Sequence, residues 1–175
     1  MEIASINEQL RESDATVALF KTIGTRDRKL AEQCYGFMEP TFVARGEYEL
    51  CLNYIGDPQA KFDTLLRNRE QMRNMAERQN ARWQQQVERM KELAQASNSV
   101  FPNGQVPFPP DMAKMADAGF VAQTRNLIEI LVATGRKADA EKIQSQAMAV
   151  LDDVRLKAAV SDATEQVLKH SPNNK

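Results

Sequence analysis

The sequence predicts an all-α protein. Three observations carry that reading. Apolar residues recur at spacings of three and four along most of the chain, and nowhere alternate for the length of a strand. From Pro58 to about Ser97 the chain is strongly polar and holds no Gly and no further Pro. Charged residues make up 27 % of the 175 positions and aromatic residues 6 %, a balance that suits amphipathic helices with wide solvated faces.

The stripes divide the chain into elements. Ile3, Ile6, Leu10, Val17, Phe20 and Ile23 mark a first helical stretch over residues 2–24, where Ser13-Asp14 is a candidate interruption and Gly24-Thr25 the expected close. Asp27 starts the next helix, which runs through Leu30, Cys34, Tyr35, Phe37, Met38, Phe42 and Val43 to Gly46. Pro40 lies inside it and should bend it, because its ring crowds the preceding turn and it has no N–H. A shorter helix through Tyr48, Leu50, Cys51, Tyr54 and Ile55 stops at Gly56-Asp57-Pro58. The polar stretch that follows reads as one helix of about 40 residues, roughly 60 Å at ~1.5 Å per residue. Its thin seam (Phe62, Leu65, Leu66, Met72, Met75, Ala76, Trp83, Val87, Met90, Leu93, Ala94) resembles a coiled coil from Met72 onward but lacks sustained heptads, so packing on the rest of the chain is expected.

Residues 98–118 break the pattern. Pro102, Pro107, Pro109 and Pro110 with Asn103-Gly104 imply an extended, turn-punctuated connector, and Val100, Phe101, Val106 and Phe108 suggest that it lies along a helix surface. A docking motif for a Pro-recognising partner is the alternative. Three helices then follow, at about Phe120–Thr134, Ala138–Leu151 and Asp153–Lys169, before a frayed Ser171–Lys175 tail. The expected organisation is one α-helical domain over 1–175: N-terminal helices and a hairpin (1–57), the long helix (58–97), the Pro-rich connector (98–118), and a second hairpin with a capping helix (119–170).

Much chemistry is disfavoured. His170 is the only histidine and sits next to the terminal tail, which leaves no basis for His-dependent acid–base or nucleophilic triads, or for common zinc shells. Seven scattered glycines never take a phosphate-loop or dinucleotide spacing. Asp152-Asp153 and Asp162 read as helix-start carboxylates. Cys34 and Cys51 read as reduced core thiols rather than a disulfide. No catalytic, metal or cofactor site is expected. Met1–Glu8 is acidic without an apolar run, so a signal peptide is not expected, and no run reaches the eighteen apolar residues of a membrane span. The expected location is cytoplasmic.

Phe42-Val43-Ala44-Arg45-Gly46 and Leu131-Val132-Ala133-Thr134-Gly135 match at Val, Ala and Gly, and each ends a helix just before another begins. Five places after each Gly stands a small residue, Cys51 or Ala140, which lets helix axes approach closely. These hairpins, Tyr35–Ile55 and Asn126–Leu151, resemble the tetratricopeptide repeat. In the first copy the resemblance runs through Tyr35, Met38, Phe42, Gly46, Tyr48 and Cys51. In the second it runs through Leu127, Leu131, Gly135, Ala140, Ala147 and the ending Leu151-Asp152-Asp153. It covers about fifty residues, and the 89-residue offset means the copies are not tandem. Thr124 stands where the family has an aromatic, Glu39 and Ile128 where it has a small residue, and Pro58 cuts the first copy short.

The resemblance implies a right-handed stack of helical hairpins that binds a protein or peptide on the inner helix face. Arg125, Asn126 and Glu129 would stand there in the second copy, and Gln33 with Val43 in the first. The plainer reading makes Arg125 and Glu129 an i,i+4 surface pair, and two isolated hairpins provide no continuous concave groove. The long helix offers a second surface. Eight basic and five acidic residues between Lys61 and Glu92 give it a net +3, with Arg82 and Trp83 mid-helix. Basic residues beside an aromatic suit RNA or an acidic partner, although the interspersed acids also describe a solvated face. A non-enzymatic interaction or scaffold module is therefore expected. A nucleic-acid-associated helical protein is the alternative, and a second copy of the chain, docked through the long helix, is a further candidate partner.

Overall fold

The computed structural model describes residues 2–96 and 111–170, with side chains over 14–93 and 111–162. The described residues form seven helices and no strand: α1 Glu2–Arg26, α2 Arg28–Ala44, α3 Tyr48–Ile55, α4 Pro58–Ala96, α5 Met112–Ala133, α6 Lys137–Val150 and α7 Val154–His170. None is long and apolar enough to cross a membrane.

Local chemistry accounts for the boundaries. Asp27 caps α2 by accepting from Leu30 N–H at 3.0 Å, and Asp111 caps α5 by accepting from Lys114 N–H at 3.1 Å. Asp57 accepts from Gln59 N–H at 2.9 Å ahead of Pro58, a residue that fits the first turn because its missing N–H has no partner there anyway. Asp153 accepts from Arg155 N–H at 2.7 Å at the start of α7. Asp162 lies inside α7 rather than at a helix start.

The two matching pentapeptides close their helices in the same way. Gly46 N–H donates to Val43 O at 3.0 Å and Glu47 N–H to Phe42 O at 2.9 Å; Gly135 N–H donates to Val132 O at 3.1 Å and Arg136 N–H to Leu131 O at 2.7 Å. Both are Schellman turns, and both glycines take the left-handed conformation they require, φ 70° and 80°. Cys51 and Ala140, five residues on, are each fully buried.

Two expected boundaries differ. Neither Ser13-Asp14 nor Gly24-Thr25 ends a helix, and α1 runs unbroken to Arg26. Gly24 is there for clearance: a Cβ on it would lie 2.3 Å from the Tyr54 hydroxyl of α3. Residues 112–118, expected in the connector, are the first two turns of α5, because the Asp111 cap outweighs the Pro-Pro signal just before it. The remainder of that connector, with Val100, Phe101, Val106 and Phe108, lies outside the described residues, as does the 171–175 tail. Pro40 sits within a continuous α2, on its exposed side.

Helix α5 is the hub, touching α2, α3, α4, α6 and α7. One apolar cluster joins Phe62 and Leu65 of α4 to Phe120, Leu127, Ile128 and Leu131 of α5, with Ile143 of α6, Leu151 and Val160 of α7. The other joins Val17 and Phe20 of α1 to Tyr35, Phe42 and Val43 of α2, Cys51 of α3 and, from far along the chain, Ile130 of α5. Leu52 and Ile55 of α3 pack against both. The hairpins that the sequence separates by the long helix are thus neighbours in space. α1 grips the first turn through ion pairs of Asp14 with Arg45 and of Lys21 with Glu47.

Helix α4 runs antiparallel to α5: Phe62 meets Phe120 and, further along α4, Arg69 meets the earlier Asp117. Phe62, Leu65, Arg69 and Ala76 are buried, so the first half of the seam packs on the rest of the chain. From Glu77 to Leu93 no side chain is buried.

Candidate functional site

The residues singled out by the sequence do not form one site. Arg125, Asn126 and Glu129 are half-buried on α5. Glu129 does not pair with Arg125; its Oε1 accepts from the Tyr48 hydroxyl of α3 at 2.8 Å. Burial, then Glu129, pushes the Tyr48 phenol up to about 12. In the first copy Gln33 is exposed but Val43 is buried in the α1–α2–α3 cluster, so it offers no inner-face contact. Arg82 is exposed and Trp83 half-buried, both on α4 beyond Ala76. The α4–α5 register puts Arg125 level with the start of α4, leaving roughly 35 Å of helix between it and Trp83 at ~1.5 Å per residue.

The structure concentrates unusual features elsewhere, along the seam of α4 and α5. An open recess of about 220 Å³ runs between these helices, lined by Leu65, Asn68, Met72, Met115, Phe120 and Gln123 among others. Of its two methionines, Met115 is 59 % exposed and Met72 is half-buried. Gly119 also lines the recess, and a Cβ added to it would meet nothing within 4 Å. This glycine serves no internal packing need, and its missing side chain leaves the groove open.

Arg69 lines the same recess and is only 7 % exposed. Its Nε donates to Asp117 Oδ1 at 2.6 Å, and its guanidinium lies 5.5 Å from the centroid of the Phe120 ring. Arg73 Nη1 reaches the same Asp117 oxygen at 3.5 Å. Two guanidinium groups therefore share one carboxylate. The Nη2 amino group of Arg69 is buried and makes no hydrogen bond, an arrangement that costs about 1–3 kcal/mol, more for a charged group.

No protein-family model, curated protein or solved structure matches this chain. The site rests on its own geometry. The sequence does carry one signal for it. Phe62, Leu65, Arg69, Met72 and Ala76 follow the 3-4-3-4 spacing of a buried seam, so Arg69 is a charged residue at a core position. Nothing in the sequence pairs it with Asp117 or Gly119, because that depends on the register of two helices.

A second polar cluster joins α2, α3 and α4. Glu39, 4 % exposed, accepts from Lys61 Nζ at 2.9 Å, and that ammonium stands 5.7 Å from the Tyr35 ring centroid. The Tyr35 hydroxyl is buried beside Glu39 and Cys51. Burial, with the nearby Glu39 charge, raises its pKa far above the ordinary phenol value, and burial pushes the Cys51 thiol up to about 11. Such a Cys51 is a protonated, unreactive core thiol. Both cysteines are free. Among the described residues, no group of three or more His, Cys, Asp or Glu side chains is placed to hold a metal ion.

Proposed function

We propose that the chain is a non-enzymatic protein-interaction module, a tetratricopeptide-like helical stack that receives a peptide segment of its partner in the α4/α5 groove. The observation that carries the reading is the groove itself: an exposed Met115 across from a half-buried Met72, an uncrowded Gly119, and a buried guanidinium with an unused amino group. Exposed methionines are adaptable contacts, since the thioether side chain repacks around different shapes at little cost. A recess of about 220 Å³ is smaller than the ~300–1,000 Å³ of typical small-molecule sites, which favours one or two anchoring side chains over a cofactor.

The stack is supported by a recurring relation. α5 packs on both helices of the α2–α3 hairpin, and α7 packs on both helices of the α5–α6 hairpin. Each hairpin turns through the same Schellman geometry. On this reading α2–α3 and α5–α6 are successive repeats, α7 is the closing helix, and α4 is inserted between repeats. The insertion covers the side of α5 near Phe120, and Tyr48 occupies Glu129. The ordinary inner face of the second repeat is thereby replaced by the α4/α5 groove as the place to bind.

The test is selection of displayed random twelve-residue peptides on the full chain, repeated on Met115→Glu. Enrichment of a sequence class by the parent and not by the variant is expected. Equal enrichment by both would remove the groove as the binding surface.

A further inference from the structure

We infer that the α4/α5 groove recognises a peptide segment presenting a large apolar side chain next to a carboxylate, with Arg69 as the acid-reading residue. The inference rests on the groove being a partner-binding surface and adds the chemistry of what binds.

Arg69 brings five N–H donors. Asp117 engages Nε, and Nη2 is left without an acceptor while almost fully buried. A buried guanidinium N–H strongly favours an anionic oxygen, because charge-assisted hydrogen bonds are about twice as strong as neutral ones. The local charge agrees: Arg69 and Arg73 stand against Asp117 alone, while the nearby Lys114 is balanced by Asp111 at 3.1 Å. Within ion-pair distance, two guanidinium groups share the Asp117 carboxylate. A carboxylate on Nη2 would satisfy the orphan donor and give the two guanidinium groups a second anionic partner.

The rest of the lining is largely apolar. Leu65, Met72, Met115, Ala116 and Phe120 outnumber the polar Asn68 and Gln123, and the space beside Gly119 is clear. A single buried cation in an apolar recess is poorly suited to nucleic acid, whose backbone affinity grows with the number of phosphates neutralised. It is well suited to a side chain such as Leu or Phe with an Asp, Glu or chain-terminal carboxylate beside it. Met72 and Met115, with three rotatable side-chain bonds each, supply the adjustment that uncovers Nη2.

The experiment uses the full chain and fluorescein-labelled nine-residue peptides with a central Leu or Phe flanked by Asp, alongside matched sets with Asn or Lys in place of Asp. Anisotropy titrations are run against the parent, Gly119→Leu, which fills the recess, and Met115→Glu, which places a negative charge at its rim. Circular dichroism melts verify that both variants are folded. At least one Asp peptide is expected to bind, with affinity at least tenfold weaker for its Asn counterpart and at least tenfold weaker for both variants. Binding that both variants block but that is equal for Asp and Asn peptides would overturn the carboxylate assignment and leave the interaction surface standing. Absence of any binding sensitive to the variants overturns both. Displacement of a bound peptide by a single-stranded RNA twenty-mer, with steep salt dependence, would also overturn the inference and assign the surface to nucleic acid.

Discussion

The Tyr48 hydroxyl donates to Glu129 Oε1 at 2.8 Å, joining α3 of the first hairpin to α5 of the second across 81 residues of sequence. Together with Ile130, which lies in the apolar cluster of α1, α2 and α3, it is how one hairpin registers on the other. Tyr48→Phe should lower stability by about 1.5–3 kcal/mol, the usual net value of a bond to a charged acceptor, as read from urea unfolding. The bond also has a pH signature. The Tyr48 phenol rises from 10.0 to about 12 and the Cys51 thiol from 9.0 to about 11. Each raised pKa contributes stability that is complete below the unfolded value and lost as pH rises through the folded one. The melting temperature should therefore decline from about pH 9 to pH 12, with Cys51→Ala easing the lower part of the decline and Tyr48→Phe easing the upper part, to which the buried Tyr35 phenol also contributes. A flat profile in the parent would contradict both assignments.

Glycine substitutions should differ in sign by position. Gly36 and Gly119 are helical and uncrowded, so replacing either with Ala should stabilise by about 0.5–1 kcal/mol through helix propensity. Gly46 and Gly135 hold positive φ in their Schellman turns, and the same replacement there should destabilise by about 1–2 kcal/mol. Four chemically identical variants, compared by thermal melts, test the two turns against the two helices.

Gly24→Ala should destabilise despite improving helix propensity. The new methyl would meet the Tyr54 hydroxyl at 2.3 Å, and the Tyr54 ring is held by Tyr35 (centroids 5.4 Å apart) and Phe20 (5.1 Å). Overpacking of this kind costs about 1–3 kcal/mol. Tyr54→Phe removes the clashing oxygen and leaves the ring carbon at an ordinary 3.7 Å. The double variant should then recover most of the loss, and additive effects in that cycle would refute the clash.

Lys61→Met should cost about 3 kcal/mol, because it leaves Glu39 buried and uncompensated. Adding Glu39→Gln should restore much of that stability, since a neutral amide is far cheaper to bury than a carboxylate. Failure of the second substitution to rescue the first would mean that the pair does not determine the stability of this region.

Helix positions are legible in local signals: the Asp27 and Asp153 starts, the Gly56-Asp57-Pro58 break, the Gly46 and Gly135 turns, and the unbroken polarity of α4. The departures have two causes, packing between helices and a cap that overrides a breaker signal. Gly24 and Ser13-Asp14 resemble stops, yet whether a glycine ends a helix or admits a neighbour depends on what packs against it, here Tyr54 of α3. Asp111 opens α5 earlier than the prolines before it suggested. For the site, the resemblance to repeat faces points to Arg125, Asn126 and Glu129, whereas Tyr48 takes the last of them. The Arg69 position was visible as a charge in an apolar seam, but Asp117, Met115 and Gly119 become its neighbours only once α4 and α5 are set antiparallel.

The placement of Ile130 among Val17, Phe20, Phe42 and Cys51 also bears on biosynthesis. The first fifty-five residues contain three helices, yet their apolar cluster cannot close until a residue from much later in the chain has been made. A nascent chain that has emerged only through α4 therefore exposes an unfinished hydrophobic surface. Covering that surface requires α5 to have left the ribosome, so completion of the N-terminal cluster waits on a later part of the chain.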